Sequence, residues 1–342
     1  MRSEVSMKPE ISGVGLNLPF TGWGLQQSVE LASRCEGYGY DAIWTSERNG
    51  WDAMAFAGAL TQAVDIPVGI AVVSVFTRPP ALVAMGAASL AGLSNSGFIL
   101  GLGVSSPLIT QAWMGVPYER PVQRMREYLT LVRAMLNGDK VAHHGRSVTV
   151  DGFRLGSATP GTAILAAALG PQMMALAGQL ADGVILHMTP AHKLELVMKP
   201  ARTAATSVGR SQPKSMMTVP VIVGNDLDSA RRSLAGLGLT YAKAPAYAAH
   251  LERLGYGDDL RACLKLWDAG DRESAVERMN PELVSVFGVF GDLSSCRRQV
   301  AAYSDAGLDQ VNLHFMHVPE DAEELDTWLR ALAPAKEVCE IK

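Results

Sequence analysis

The chain is short of the features that most often announce a function. No apolar run approaches the roughly 18 residues that a membrane-spanning helix needs, so no membrane partner is expected. The opening residues, MRSEVSMKPE, hold no apolar core of the signal-peptide kind, which makes the cytoplasm the expected compartment. Cysteine is scarce: Cys35, Cys263, Cys296 and Cys339 are scattered with no CxxC pair, which suggests neither a zinc site nor a disulfide framework. The net charge of −4 comes without a basic cluster and argues against nucleic acid as a partner. A P-loop, a GxGxxG fingerprint, a Ser-His-Asp order and short-period repeats are all missing.

What is present is 342 residues, 48% hydrophobic and 19% charged, the composition of a compact soluble protein able to bury a full core. The stretch 164–186, ILAAALGPQMMALAGQLADGVIL, runs from strand through turn and helix into the next strand without a break. Gly170 permits a tight exit and Pro171 suits the first helical turn, where its missing N–H is not needed. The turn reads either as an anion site at a helix N-terminus or as an ordinary connection. A helix-ending glycine or alanine followed by Asp and an apolar run recurs at 39–44, 181–185 and 307–311, and these are αβ joints of a parallel sheet. Apolar runs at 14–18, 42–45, 68–73, 98–102, 164–168, 184–186, 217–223 and 311–315 make eight strands, the number of an α/β barrel. Helices fit between them: Leu25, Val29, Ala32 and Cys35 make one stripe, and Val122, Met125, Leu129, Val132 and Leu136 another.

Two segments exceed a minimal barrel. Residues 141–155 alternate and contain Asp151-Gly152, which reads as a β-hairpin inserted before the fifth strand. Residues 225–291, between the seventh and eighth strands, are too long for a plain connection and read as a helical insertion, either a lid over the mouth or padding on the wall. One domain over 10–333, with 1–9 and 334–342 as peripheral tails, is the expected organisation.

A barrel places its chemistry at the C-terminal strand ends, where Asn17, Glu47 with Arg48, Ser74, Ser105 with Ser106, His187 and His314 fall. Gly101-Leu102-Gly103 lets backbone approach a flat ring or a phosphate, or is merely a tight strand exit. One of Glu47 and Arg48 faces the pocket, or the two are a surface ion pair or solvated loop, and Arg78 pairs with a phosphate or with a neighbouring carboxylate. His314 and His317 are spaced for one face of a helix rather than a strand, so no metal is expected. His143-His144 is expected on a solvated hairpin.

Taken together, the segments GVGLNLP (13–19), YGYDAIWTSE (38–47), FTRPPALVA (76–84), GFILGLGVSSP (97–107), GVPYERPVQRMREYLTLVRAML (115–136), VTVDGFRL (148–155), the 164–186 stretch and AGLDQVNL (306–313) resemble the luciferase-like monooxygenase superfamily. More narrowly they resemble its actinobacterial-type branch of oxidoreductases that use the deazaflavin coenzyme F420. The resemblance spans almost the whole chain. It implies a bacterial luciferase-like (β/α)8 TIM barrel of the α/β class, with a cofactor lying across the strand ends and a hydride passing between its central ring and a small-molecule substrate. Relatives are often dimers, so a homodimer is expected.

By position, the resemblance makes Glu47 an acid close to the ring system. Ala71-Val72 takes the place of a non-proline cis peptide behind the ring, with Ser74 at the pocket wall. Gly103, Val104 and Ser105 match the fourth-strand loop, and Ala168, Leu169, Gly170 and Pro171 match the turn at the cofactor's phosphate side. Two departures stand out: Arg48 occupies a position where several deazaflavin enzymes have histidine, and Ser106 one where sugar-phosphate dehydrogenases of the group have a proton-donating glutamate, which argues against a sugar phosphate. Arg48 is then a candidate to polarise a carbonyl or bind an anionic substrate, with His187 or His314 as proton donor. The alternative readings are an FMN-dependent monooxygenase fed by a separate reductase, and a non-catalytic barrel that binds a flavin or a partner.

Overall fold

A computed structural model describes residues 8–334; Cys339 and most of both expected tails lie outside the described residues. The strands are β1 (Gly13–Asn17), β2 (Ala42–Thr45), β3 (Val68–Ser74), β4 (Phe98–Gly103), β5 (Lys140–His144), β6 (Thr149–Arg154), β7 (Ala163–Ala167), β8 (Gly183–Leu186), β9 (Lys214–Val223), β10 (Val289–Gly291) and β11 (Gln310–Phe315). Eight of them pair in parallel in the order β1-β2-β3-β4-β7-β8-β9-β11, and β11 pairs with β1 to close the ring. This is the TIM barrel expected from the eight apolar runs, with helices packed outside.

Closure divides the apolar residues into two groups. Ile11, Ala42, Trp44, Ile99, Ala163, Leu165, Ile185 and Met216 pack together inside the ring, apart from the larger cluster between strands and helices. Side chains alternate along each strand, so in β11 Val311, Leu313 and Phe315 belong to the outer cluster while Gln310, Asn312 and His314 alternate with them. The fully buried Trp44 indole fills the lower interior and donates to Gln310 Oε1 at 2.9 Å. Its room is made by glycines on the flanking strands: a Cβ on Gly15 would lie 2.8 Å from the indole, and one on Gly69 would fall inside it.

The recurring Asp joints have a common geometry. Asp41, Asp182 and Asp309 each accept, at 2.8 Å, the backbone N–H of Val14, Ile164 and Ser215 respectively, near the start of an adjacent strand. Asp182 also pairs with Arg133 and with Lys8. These carboxylates stitch neighbouring strands at the N-terminal face of the barrel, away from the strand ends that carry chemistry.

The helix stripes are close to expectation. In Pro121–Leu136, Met125, Leu129, Val132 and Leu136 are buried; in Leu25–Tyr38, Ala32 and Cys35 are buried, but Ser28 and Leu31 go deeper than Leu25 and Val29.

The hairpin β5–β6 is antiparallel, but Asp151-Gly152 is not its turn. Those residues form a bulge inside β6, with Gly152 at φ 71°, and the chain reverses over 145–147. The reversal is fixed there by Glu127, almost fully buried, whose carboxylate accepts the N–H groups of Arg146, Ser147 and Val148 at 2.8–3.1 Å. Burial would raise this carboxyl's pKa, but hydrogen bonds from Gln123 and the three backbone donors outweigh it and hold it below its ordinary value. His143 turns onto Glu127 at 3.7 Å and is thus not simply solvated, whereas His144 is exposed.

The long insertion is helical, as expected: Leu227–Ala242, Pro245–Arg253, Gly257–Asp268, Arg272–Arg278 and Pro281–Ser285 follow one another. It ends in β10, a strand absent from the sequence reading, which pairs in parallel with the end of β9. Among the described residues no helix is long and apolar enough to cross a membrane.

Gly69→Ala should lower stability by about 1–3 kcal/mol through overpacking against Trp44. Gly236→Ala, in a helix with open space around it, should be neutral or stabilising by up to about 1 kcal/mol. Urea unfolding of both variants checks the pair; equal effects would contradict this account of the interior.

Candidate functional site

At the C-terminal end of the ring the interior turns polar. Asn312, fully buried on β11, donates to Thr218 Oγ1 at 2.9 Å and approaches Asn17 Oδ1 at 3.5 Å. The Asn17 amide nitrogen meets His314 Nδ1 at 3.2 Å. With the amides oriented in this way, Nδ1 accepts and the His314 proton resides on Nε2. The chain Thr218–Asn312–Asn17–His314 therefore fixes one imidazole tautomer at the rim.

One wall is built by β3 and β4. The Ala71–Val72 peptide is cis, and the β3–β4 register shifts between Ile70 and Val73. Val72 leans over Gly103 so closely that a Cβ on that glycine would overlap it. Ser74 is buried and its hydroxyl accepts the N–H of Phe76 at 3.2 Å, leaving its backbone N–H directed at Glu47. Val104 and Ser105 follow Gly103 at the rim, with Ser105 at φ 57°.

Behind this wall Glu47 is bound by Arg78 through Nε at 2.8 Å and through the terminal nitrogen, which also reaches Asp52 at 2.5 Å. Of the two partners open to Arg78 in the sequence reading, the carboxylate is the one found. Asp52 in addition caps the Ala53–Thr61 helix by accepting the N–H of Ala55.

Beside this wall, on the strand paired with β4, lies the turn after β7. Ala168 and Leu169 lead into Gly170, the N-cap of the Pro171–Leu180 helix, and no side chain caps it. Arg253, from the insertion, donates to the Leu169 carbonyl at 3.3 Å. Next to it the buried His250 donates through Nε2 to the Met188 carbonyl at 3.1 Å, tying the insertion to the ends of β7 and β8.

Over the opening lie Tyr241 and Tyr247, also from the insertion. Their rings meet His187 edge to face at 5.1 and 5.6 Å. Arg48, following β2, reaches the Tyr241 hydroxyl at 3.4 Å. In the closed ring β2 and β8 stand opposite each other, so Tyr241 bridges the mouth.

His187 and His314 are both held neutral. Burial, reinforced by the positive charge of Arg48, pushes His187 down to about 3 and His314 down to about 4. At neutral pH each is therefore an uncharged imidazole with one N–H donor and one acceptor nitrogen. His187 Nε2 is out of contact with water and has no hydrogen-bond partner. His314 and His317 do not converge, since His317 packs on Trp328 and meets the Val223 carbonyl at 3.3 Å. Among the described residues no group of three or more His, Cys, Asp or Glu side chains comes together as a metal site.

Sequence reasoning thus placed Glu47, Arg48, Ala71, Val72, Gly103, His187 and His314 around one opening, and the 168–171 turn next to the fourth-strand loop. It missed Asn312 and Thr218, although polar residues alternating with apolar ones in QVNLHF were a readable sign of an inward polar face. It also missed Tyr241, Tyr247, His250 and Arg253, which carry no local signal.

The model of the luciferase-like monooxygenase family matches residues 14–310. The chain belongs to that family of oxidoreductases. A Mycobacterium tuberculosis protein provisionally named a coenzyme F420-dependent oxidoreductase is 28% identical over 331 residues, covering 87% of this chain and 94% of that protein. The coenzyme F420-dependent tetrahydromethanopterin reductase of Methanopyrus kandleri superposes with a TM-score of 0.77 at 20% identity, covering 94% of this chain and 97% of the other. The oxygenating constituent of 3,6-diketocamphane monooxygenase from Pseudomonas putida, a type II Baeyer-Villiger monooxygenase solved with FMN, gives 0.67 at 15% identity, with 95% and 97% covered. At such identities the two structures speak for the fold alone.

The neutral histidines set a pH dependence. The unfolded chain binds their protons from 6.5 downward while the folded chain resists until about 3 and about 4, so their stabilisation is complete above 6.5 and is lost as pH falls through the folded values. Urea midpoints should drop between about pH 7 and about pH 4.5, and drop less in a His187→Gln/His314→Gln double variant. An unchanged slope in that variant would contradict the assignment.

Proposed function

We propose that the protein is an oxidoreductase that binds the deazaflavin coenzyme F420 across the C-terminal strand ends and exchanges a hydride with a small organic molecule in the mouth. The observation that carries this reading is the shape of the β3–β4 wall. The Val72 side chain, packed over the side-chain-free Gly103, makes this wall apolar, and it is faced by polar groups from β1, β8 and β11. Such a slot suits a ring system that is apolar on its faces and polar at its edges. The family membership and the F420-dependent relatives support the choice of cofactor.

In this reading Ala71, Val72, Ser74, Gly103, Val104 and Ser105 hold the ring side. Ala168, Leu169, Gly170 and Pro171 present the free N–H groups of a helix start to the phosphate side, next to Arg253. When bound, the deazaflavin would supply a ring carbon able to carry hydride at the position where FMN has a ring nitrogen. Glu47, clamped by Arg78, keeps a fixed negative charge beside the wall, and Arg48 offers a cation to the substrate. His187 and His314 offer hydrogen bonds to oxygens of cofactor or substrate. The FMN-bound neighbour favours a second reading, an FMN-dependent monooxygenase. We also propose a homodimer, because Leu82 and Met85 are half exposed one turn apart on the Pro80–Leu93 helix.

Fluorescence-quenching titrations with F420 and with FMN separate these readings. F420 should bind and FMN should not; tight FMN binding with no response to F420 would reverse the choice, and silence with both would point to a non-catalytic barrel. Gly103→Ala should weaken F420 binding by about tenfold or more, through displacement of Val72. Arg48→Ala should lower turnover while leaving F420 affinity within about twofold; unchanged turnover would remove Arg48 from the substrate site. A Leu82→Glu/Met85→Glu variant should run as a monomer by light scattering where the wild type runs as a dimer.

A further inference from the structure

The roof of the mouth is made by residues that the barrel strands do not supply. Tyr241 lies at the end of the Leu227–Ala242 helix and Tyr247 in the Pro245–Arg253 helix, and their rings meet at 5.2 Å and 63°. With His187 they form a triangle of edge-to-face contacts, a fixed aromatic corner rather than separate side chains. Both tyrosines are only partly buried, so ring surface remains for another molecule.

Arg48 stands beside this corner. Arg78, behind the wall of the mouth, is occupied by Glu47 and Asp52, and Arg253 is bonded to the Leu169 carbonyl. Arg48 has no carboxylate partner among the described residues, and its side-chain contact is the neutral Tyr241 hydroxyl. Its charge nevertheless acts on His187, His314 and Tyr247, which come from three different elements. An uncompensated cation thus faces the opening, and a planar guanidinium matches a planar carboxylate through paired hydrogen bonds. The third observation is His187 Nε2, removed from water and lacking a partner. A nitrogen in that condition is costly unless a ligand completes it.

We propose that the aromatic corner and Arg48 select the substrate, and that the substrate is a flat, conjugated carboxylate. Its unsaturated face lies against Tyr241 and Tyr247, its carboxylate meets Arg48, and an oxygen of the same molecule completes His187 Nε2. The insertion is then the specificity element of the enzyme, since it brings both tyrosines. The hydride chemistry performed on this molecule rests on the cofactor reading above; the binding preference does not.

The test uses the full chain, with and without F420, and three probes: trans-cinnamate, the uncharged trans-cinnamamide and the saturated 3-cyclohexylpropanoate. Calorimetry or ligand-observed NMR should show cinnamate binding about tenfold more tightly than either of the others. Arg48→Met, an exposed position that folding does not require, should abolish the preference over cinnamamide and keep the preference over 3-cyclohexylpropanoate. Tyr247→Leu should do the reverse. Equal binding of the three probes by the wild type, or an intact charge preference in Arg48→Met, would overturn the proposal. F420 quenching on the same samples keeps the two readings apart: F420 binding with no discrimination among probes removes this proposal alone, and discrimination without F420 binding removes the cofactor reading alone.

Discussion

Closure of the eight-stranded ring is the constraint on which the rest of the molecule depends. A closed parallel sheet sends every second side chain into a space too narrow for eight large residues, so size must be shared out around the circle. Here one strand contributes Trp44 and its two neighbours give way with Gly15 and Gly69. That choice seals the lower interior with an indole and its Gln310 partner. Polar side chains appear one and two layers above, where Asn312, Asn17 and His314 take up the same inward direction. The N-terminal rim, meanwhile, is held by carboxylates that accept backbone N–H groups across strand joints. Stability and chemistry are thereby assigned to opposite ends of one ring.

The electrostatics of the mouth follow from who is paired. Of the arginines near the opening, Arg78 is neutralised by two carboxylates and Arg253 donates to the Leu169 carbonyl. Arg48 keeps its field, and that field, added to burial, holds His187 and His314 uncharged. The mouth thus sets Arg48, without a carboxylate partner among the described residues, beside uncharged imidazoles and a Glu47 already bound to Arg78.

Much of the barrel was legible in the sequence because its signals are local. Apolar runs of strand length, glycine or alanine before Asp at the joints, and proline at helix starts each report on a few adjacent residues. The Gly170-Pro171 turn was visible for the same reason, and the family resemblance pointed to Ala71-Val72. What escaped notice depends on residues far apart in the chain. The Asp-Gly pair signals a reversal in isolation, yet Glu127, about twenty residues away, moved the reversal upstream by collecting three N–H groups. Glu47 and Arg78 are 31 residues apart, and nothing in either neighbourhood selects between a phosphate and a carboxylate. Tyr241 and Tyr247 sit in helices of ordinary amphipathic pattern and gain meaning from facing His187.

The short strand β10 bears on how the insertion can behave. The insertion leaves the barrel at the end of β9 and returns by pairing Val289–Gly291 with that same strand. Both of its roots are therefore at one stave. Beyond those roots, His250 and Arg253 bond to backbone carbonyls at the ends of β8 and β7, and Lys193, following β8, donates to the Leu254 carbonyl at 2.6 Å. With these bonds and the Tyr241 and Tyr247 contacts to His187, the insertion is fastened along three neighbouring strands, β9, β8 and β7, as a fixed eave over that sector of the rim.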